Sequence, residues 1–296
     1  MRRAGRAASW HAGQLAVAGD GEGVDVTVVC AMFSGKGGVG KTSTAAGLIA
    51  VAAKRGLVVA GGDLDPRFTL TKELGVKELA FSLNDLLYVD PEAEEPPGDP
   101  AELVDQVLVP AGLHWPENVL VLPAERALGR RETDAVMFEP RLARAVVGLE
   151  RLGVDLLVLD LPPRPGGKLA ATGLLAAHKV FIPATLTADG HDGAVDALQT
   201  IKFQNAPGGP NPGLQIAGVY RSIVPRESEY REVHKHWEER IVADFADHLL
   251  ETQLHNHAVR EECRTACAPI TAATGRYARK LETAYEELLD RGLEAA

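Results

Sequence analysis

Residues 33–43 read Phe-Ser-Gly-Lys-Gly-Gly-Val-Gly-Lys-Thr-Ser, in which a glycine is followed by four residues and then by Gly-Lys-Thr. This is the pattern of a phosphate-binding loop, which joins a strand to a helix. The flanks agree, because residues 24–33 form a β-branched apolar run and residues 42–55 are rich in alanine and leucine. The residues predicted to cradle phosphate are Gly35, Lys36, Gly37, Gly38, Val39, Gly40, Lys41, Thr42 and Ser43.

The residue types in this loop each have a chemical reason. Glycines let backbone N–H groups turn toward β- and γ-phosphates, and the following helix offers its positive end to the same anion. Lys41 supplies a point charge, and the Thr42 hydroxyl is a ligand for Mg²⁺.

Strand-like and helix-like segments alternate after the loop. The predicted strands are residues 57–60, 156–159, 180–182 and 215–220, and the predicted helices are residues 140–152, 169–177, 193–203, 226–250 and 275–292. This alternation predicts βαβ units. We therefore expect an α/β fold with one doubly wound, mostly parallel sheet and helices on both faces, as in P-loop NTPases.

The domain organisation expected from composition is simple. Residues 1–25 are predicted to be a disordered leader, with a basic arm of Arg2, Arg3 and Arg6 as the alternative. Residues 26–292 form the expected ATPase domain, and residues 293–296 a short tail. Residues 90–100, rich in proline and acids, are predicted to be a solvated loop.

Two aspartates follow predicted strands. Asp160 ends the hydrophobic run 155–159, which is the physical form of a Walker B box, and is expected to hold Mg²⁺ through water. Asp65 follows the second strand, where a carboxylate can orient a water or hold a magnesium-bound one.

These motifs together resemble the ParA family of DNA-partitioning ATPases, in the ParA/MinD superfamily with a deviant Walker A box. The resemblance covers residues 26–292 and implies ATP and Mg²⁺ as cofactors. It makes Lys36 the signature lysine that reaches a partner subunit's phosphates, Lys41 the phosphate lysine, and Asp65 the residue that positions the attacking water. Two departures are Arg67, where the family usually has Gln, and Thr172, where it often has Asn.

The family's function implies an ATP-dependent homodimer, nonspecific DNA and a ParB-like centromere-binding protein as partners. A net charge of −10 restricts any DNA contact to a local patch. The candidates are Arg221, Arg226, Arg231, Lys235, Arg260, Arg264, Arg276, Arg279 and Lys280. Three cysteines are too few for a disulfide framework, so we expect a cytoplasmic protein, and the resemblance implies that it associates with the nucleoid.

Other interpretations remain open at this stage. The main one is an orphan ParA/MinD-like ATPase that positions a protein cargo or a cell-division site. Membrane binding is not expected, because residues 285–294 carry acids where a MinD-like basic helix has Lys and Arg. A zinc site is a further alternative, and its four residues would be His255, His257, Cys263 and Cys267.

Overall fold

Short apolar runs form the strands of one eight-stranded sheet in the computed structural model, which describes residues 26–94 and 97–294. The predicted leader lies outside the described residues. The strands are β1 (Val28–Met32), β2 (Val59–Asp63), β3 (Val109–Pro110), β4 (Val119–Leu122), β5 (Leu156–Asp160), β6 (Lys179–Ala184), β7 (Gln215–Val224) and β8 (Leu249–His255).

Helices with an apolar face cover both sides of this sheet. They are α1 (Lys41–Lys54), α2 (Thr69–Glu73), α3 (Leu83–Leu87), α4 (Pro100–Val107), α5 (Pro140–Arg151), α6 (Lys168–Ala176), α7 (Ala188–Gln204), α8 (Glu232–Phe245), α9 (Ala258–Thr265) and α10 (Arg276–Leu293). No helix within the described ranges is both long and apolar enough to cross a bilayer.

The strand order is β3-β4-β2-β5-β1-β6-β7-β8, and only the β3–β4 pair is antiparallel. Side chains alternate between two cores: Val29 and Ala31 of β1 face one, while Cys30 and Met32 face the other. On the second face α1 and α10 pack closely, and Gly47 leaves room for the Tyr285 ring, which would lie 2.5 Å from an added Cβ. The expected doubly wound α/β fold is confirmed.

The register of the central strands positions the predicted site. Met32 of β1 and Asp63 of β2 both pair with Asp160 of β5, so three carboxyl-terminal strand ends lie side by side. In a parallel sheet, ligands bind outside this edge. The phosphate loop and both aspartate motifs therefore meet at one place.

Several element boundaries differ from the sequence expectations. Strand β2 runs to Asp63, beyond the predicted end at residue 60, because Gly61 leaves space that the Leu74 and Ile49 side chains fill. The helix predicted over residues 226–250 is wrong: α8 ends at Phe245, and β8 follows as a half-buried edge strand. Polar residues in β8 hid its strand character. No pattern in the sequence predicted the elements α2, α3, α4, α9, β3 and β4.

Candidate nucleotide-binding site

The phosphate loop leaves β1 and enters α1 through two glycines in the left-handed region. Gly38 has φ 77° and Gly40 has φ 89°, values that favour glycine. Gly40 is the residue before α1, and no side chain caps the helix there. The first backbone N–H groups of α1 are therefore free to bind an anion.

Close packing fixes the first part of the loop. The Gly35 N–H donates to the Gly193 carbonyl at 2.9 Å. A Cβ at Gly35 would lie 2.8 Å from the Asp196 Cβ, and one at Gly37 would touch Pro163 of the segment after β5. The loop is thus held against α7 and against the residues that follow β5.

Lys41 lies inside the loop that precedes it. Its Nζ donates to the Lys36 carbonyl at 2.9 Å, and only 5% of the residue is exposed. Burial lowers the pKa of Lys41, while Asp160 and Asp65 act in the opposite direction. A charge held here without much water is well suited to neutralise phosphate oxygens.

Thr42 and Asp160 meet directly, although they are far apart in sequence. The Thr42 hydroxyl donates to Asp160 Oδ2 at 2.6 Å, and Asp160 Oδ1 is buried without a hydrogen-bond partner. Burial raises the pKa of Asp160 to about 8, with a smaller contribution from Asp63. A hydroxyl and a carboxylate with an unused oxygen fit the ligand preference of Mg²⁺, whose charge would favour the ionised carboxylate.

Asp63 organises the segment after β2, a role that could not be predicted from the sequence. It accepts hydrogen bonds from the Thr71 N–H and hydroxyl, both at 2.8 Å, and from the Asp65 N–H at 3.2 Å. Burial raises the pKa of Asp63 to about 7, and the Thr71 bonds oppose that rise. Asp63 is a structural anchor that places Asp65.

Asp65 lies at the same edge and is engaged by Arg67. The Arg67 Nε donates to both carboxylate oxygens, at 3.3 and 3.2 Å, and Nη2 donates to Oδ2 at 2.9 Å. The Asp65 side chain is only 9% exposed, whereas that of Arg67 is 64% exposed. Arg67 stands where the family usually has Gln, and this pair could not be predicted from the sequence.

The Lys36 side chain extends toward α7 and not into the loop. Its Nζ lies 3.5 Å from the Asp189 carboxylate, and its side chain is 42% exposed. The stem passes over Gly193, where an added Cβ would lie 2.7 Å from the Lys36 Cγ. The two lysines of the loop therefore have different surroundings, one buried and one open.

Strand β7 supports the loop from the side through two contacts that the sequence did not reveal. The Ser222 hydroxyl donates to the Val39 carbonyl at 2.7 Å, and the Tyr220 hydroxyl donates to Thr44 Oγ1 at 2.7 Å. Both residues are buried. Their positions on β7 give no local pattern, because the partners lie more than a hundred residues earlier.

A cavity of about 390 Å³ opens beside α1 and the phosphate loop, a size in the usual range for a cofactor site. Its lining includes Lys41, Thr42, Ser43, Asp65 and Arg67. Residues from the end of β8 through α9 and from α10 also line it, among them His255, Asn256, His257, Arg260, Leu281 and Tyr285.

Two of the nine DNA-contact candidates are wrong. Arg260 is only 14% exposed at its side chain and is paired with the buried carboxylate of Glu73. Arg221 is 12% exposed and pairs with Glu238 at 3.0 Å. Both guanidinium groups are held in ion pairs largely withdrawn from solvent, so neither presents a free cation to a ligand surface. The other seven candidates are exposed.

The alternative zinc site has no support. Among the described residues, no group of three or more His, Cys, Asp and Glu is arranged to hold a metal ion. Cys267 donates to the Lys72 carbonyl, and His257 stacks on Tyr277 with ring centroids 4.3 Å apart.

Thr172 stands where the family often has Asn. Its hydroxyl donates to the Lys168 carbonyl in its own helix.

The parallel sheet, the phosphate loop and Asp160 at the adjoining strand end define a P-loop nucleotide-binding protein. Residues 30–250 match the family model of the CobQ/CobB/MinD/ParA nucleotide binding domain, so the chain belongs to that family. It is 26% identical over 264 residues to the chromosome-partitioning ATPase Soj of Treponema pallidum, across 86% of this chain and 94% of Soj.

Solved structures give the same result. Cobyrinic acid a,c-diamide synthase of Mycobacterium smegmatis with a bound ATP analog and magnesium has a TM-score of 0.65 at 27% identity, over 82% of this chain and 93% of that chain. Apo McdA of Cyanothece has a TM-score of 0.72 at 17% identity, over 89% of this chain and 99% of that chain, and shares the fold. The expected family and enzyme class, an ATPase, are confirmed.

Proposed function

We propose that this chain hydrolyses ATP and that its ATP-bound form is a homodimer that binds DNA without sequence preference, to segregate plasmid or chromosomal DNA. The observation that carries the proposal is the difference in surroundings between two lysines of one loop. Lys41 lines the nucleotide cavity, whereas Lys36 is open on the surface beside it. A second, exposed lysine suits a phosphate in a facing subunit.

The roles proposed for the site residues follow from their positions. Lys41 and the N–H groups of residues 37–43 bind the phosphates, whereas the Gly35 N–H is already bonded to the Gly193 carbonyl and the Lys36 N–H to the Ser34 hydroxyl. Thr42 and Asp160 would hold Mg²⁺, with Asp65 nearby for a magnesium-bound water, and the ion would supply positive charge to neutralise the phosphates. Asp65 orients the water that attacks the γ-phosphorus, and the bond to the bridging oxygen breaks to give ADP and phosphate.

DNA binding is proposed to use the exposed basic residues around the start of α10. Arg276, Arg279 and Lys280 lie in its first turns, and no side chain caps that helix at Gly275. Burial lowers the pKa of His257, and the neighbouring His255, Arg226 and Lys280 lower it further. Clustered cations beside a helix N-terminus are suited to phosphodiester groups.

A ParB-like, centromere-bound protein is proposed to stimulate turnover, and the proposed location is the cytoplasm, in association with the nucleoid. Relatedness to Soj supports both statements. An adjacent gene for a ParB-like protein would favour partition. In its absence, the alternative of an orphan ATPase that positions a protein cargo or a division site becomes the better assignment.

The experiment uses the full chain and a random-sequence duplex. Asp65→Ala is expected to keep ATP bound, and in that background DNA affinity should require ATP rather than ADP. Affinity should fall steeply with salt, and each lost phosphate contact should reduce the log–log slope by about 1. Charge reversal of Arg276, Arg279 and Lys280 tests the patch.

The matched control reverses Arg130, Arg151 and Lys202, which are exposed residues on other elements. Equal losses from both triple variants would show bulk charge rather than a local patch. DNA binding that needs no ATP, or no DNA binding by the trapped form, would contradict the proposed function.

A further inference from the structure

Arg67 occupies the carboxylate of Asp65, the residue that is proposed to position water. Its guanidinium contacts both oxygens of Asp65, and its backbone N–H also donates to Asp65 Oδ1 at 3.0 Å. A carboxylate whose oxygens are both occupied by a guanidinium has little capacity left to accept a water proton. In this arrangement Asp65 is not available for its proposed role.

The pair is placed where a phosphate can break it. Arg67 lines the same cavity as Gly38, Lys41 and Thr42. The Arg67 charge adds to burial in lowering the pKa of Lys41. The Asp160 charge adds to the Asp65 bond in raising the pKa of Arg67. The side chain is 64% exposed, so it is free to change rotamer without disturbing the core.

Phosphate and carboxylate present the same target to arginine. Both accept two parallel N–H bonds from the planar fork, and phosphate carries more charge. A γ-phosphate arriving beside Lys41 therefore competes with Asp65 for the same edge of Arg67. ADP, which ends at the β-phosphate, does not supply that competitor.

We infer that Arg67 is a γ-phosphate sensor within one subunit: it holds Asp65 when the γ-phosphate is absent and transfers its fork to the γ-phosphate when ATP binds. The transfer releases Asp65 to orient water only when there is a γ-phosphate to attack. The inference rests on the proposed ATP hydrolysis and adds a residue that discriminates ATP from ADP. Arg67 touches the substrate in the ATP-bound state and the water-positioning residue in the other.

The test compares the affinities of the non-hydrolysable analog AMPPNP and of ADP, both with Mg²⁺, by calorimetry on the full chain. Arg67→Gln is expected to weaken AMPPNP binding about tenfold or more, as for a lost charge-assisted hydrogen bond, and to change ADP binding less than about twofold. Equal changes for both nucleotides, or none, would overturn the inference.

A conservative variant separates charge from the two-pronged contact. Arg67→Lys keeps the charge but loses the fork, so its ratio of AMPPNP to ADP affinity should lie between those of wild type and Arg67→Gln. A ratio equal to that of Arg67→Gln would rule out sensing by charge. A ratio equal to that of wild type would rule out the bidentate contact.

The matched control is Arg144→Gln. Arg144 makes the same kind of two-pronged contact with Asp99, through Nε at 2.9 Å and Nη2 at 2.6 Å, on the surface between α4 and α5. It should leave both affinities unchanged. This variant controls for the general effect of losing an exposed arginine–aspartate pair on stability.

Steady-state kinetics distinguish sensing from simple inhibition. If Arg67 only blocked Asp65, Arg67→Gln would raise kcat and leave KM unchanged, and that result would overturn the sensor. The inference expects a higher KM for ATP with no gain in kcat. If wild type binds no nucleotide, the proposed function itself fails. If wild type and Lys41→Ala behave as proposed but Arg67→Gln keeps the ATP preference, only the sensor fails.

Discussion

Lys36 Nζ lies 3.5 Å from a carboxylate oxygen of Asp189, in the first turn of α7 of the same chain. Both side chains are substantially exposed, at 42% and 87%. An ion pair this open contributes at most about 1 kcal/mol, so Lys36 can leave it at little cost. The lysine proposed to act across a dimer is thus held loosely near the loop until a stronger anion is offered.

Lys36→Ala should bind ATP about as well as wild type but should fail to form the ATP-dependent dimer. The reason is that the side chain lies outside the contacts that Lys41 makes within its own loop. Light scattering after size exclusion, in the Asp65→Ala background with ATP, gives the oligomeric state. Lys202→Ala, at an exposed position on α7, is the control, and a dimer that persists without Lys36 would refute the cross-subunit role.

Lys41→Ala should lower ATP affinity by about a hundredfold or more, the range for removing one partner of a buried, hydrogen-bonded charge pair. Nucleotide titration monitored by fluorescence or calorimetry measures this loss. Lys179 provides a control, because it is also a buried lysine and donates to the Arg291 carbonyl at 3.1 Å, on another part of the sheet. Lys179→Ala should alter stability and not affinity. Near-normal binding by Lys41→Ala would contradict the assigned phosphate loop.

Arg260→Ala should lower the free energy of unfolding by about 3–5 kcal/mol, because it leaves the buried carboxylate of Glu73 without its partner. Chemical denaturation measures the change. Arg264→Ala is the control: Arg264 is 47% exposed and pairs with Glu261 at 3.6 Å, so its loss should cost less than about 1 kcal/mol. Equal small effects from both variants would show that the Glu73 pair is not buried in solution.

Thiol reactivity should follow burial. Burial raises the pKa of Cys30 to about 12 and raises that of Cys263 as well, and the thiolate is the form that reacts. At pH 8 a maleimide should therefore modify Cys267, which is partly exposed, and leave the other two thiols intact. Mass spectrometry of the labelled chain identifies the site. Labelling that continues unchanged in Cys267→Ser would contradict this order.

The phosphate loop could be predicted from sequence because its conformation depends on contiguous residues. Gly38 and Gly40 adopt left-handed backbone angles that few other residues tolerate, and Lys41 and Thr42 follow at fixed spacing. Asp160 could also be predicted from the sequence, because an uninterrupted apolar run predicts a strand buried on both faces and Asp160 ends that run. These features need no knowledge of the rest of the chain.

Tertiary structure alone decided which charged side chains are free and which are held in ion pairs. Arg260 looked like a surface cation, but Glu73, 187 positions away, buries it in an ion pair. Strand β8 forms despite its polar sequence because the edge of β7 supplies its hydrogen-bonding partner. Asp63 accepts bonds from the N–H groups of residues 65 and 71 and so holds the segment in which the Arg67 fork faces Asp65. Sequence determines local conformation, whereas burial and pairing depend on segments that meet only when the sheet is assembled.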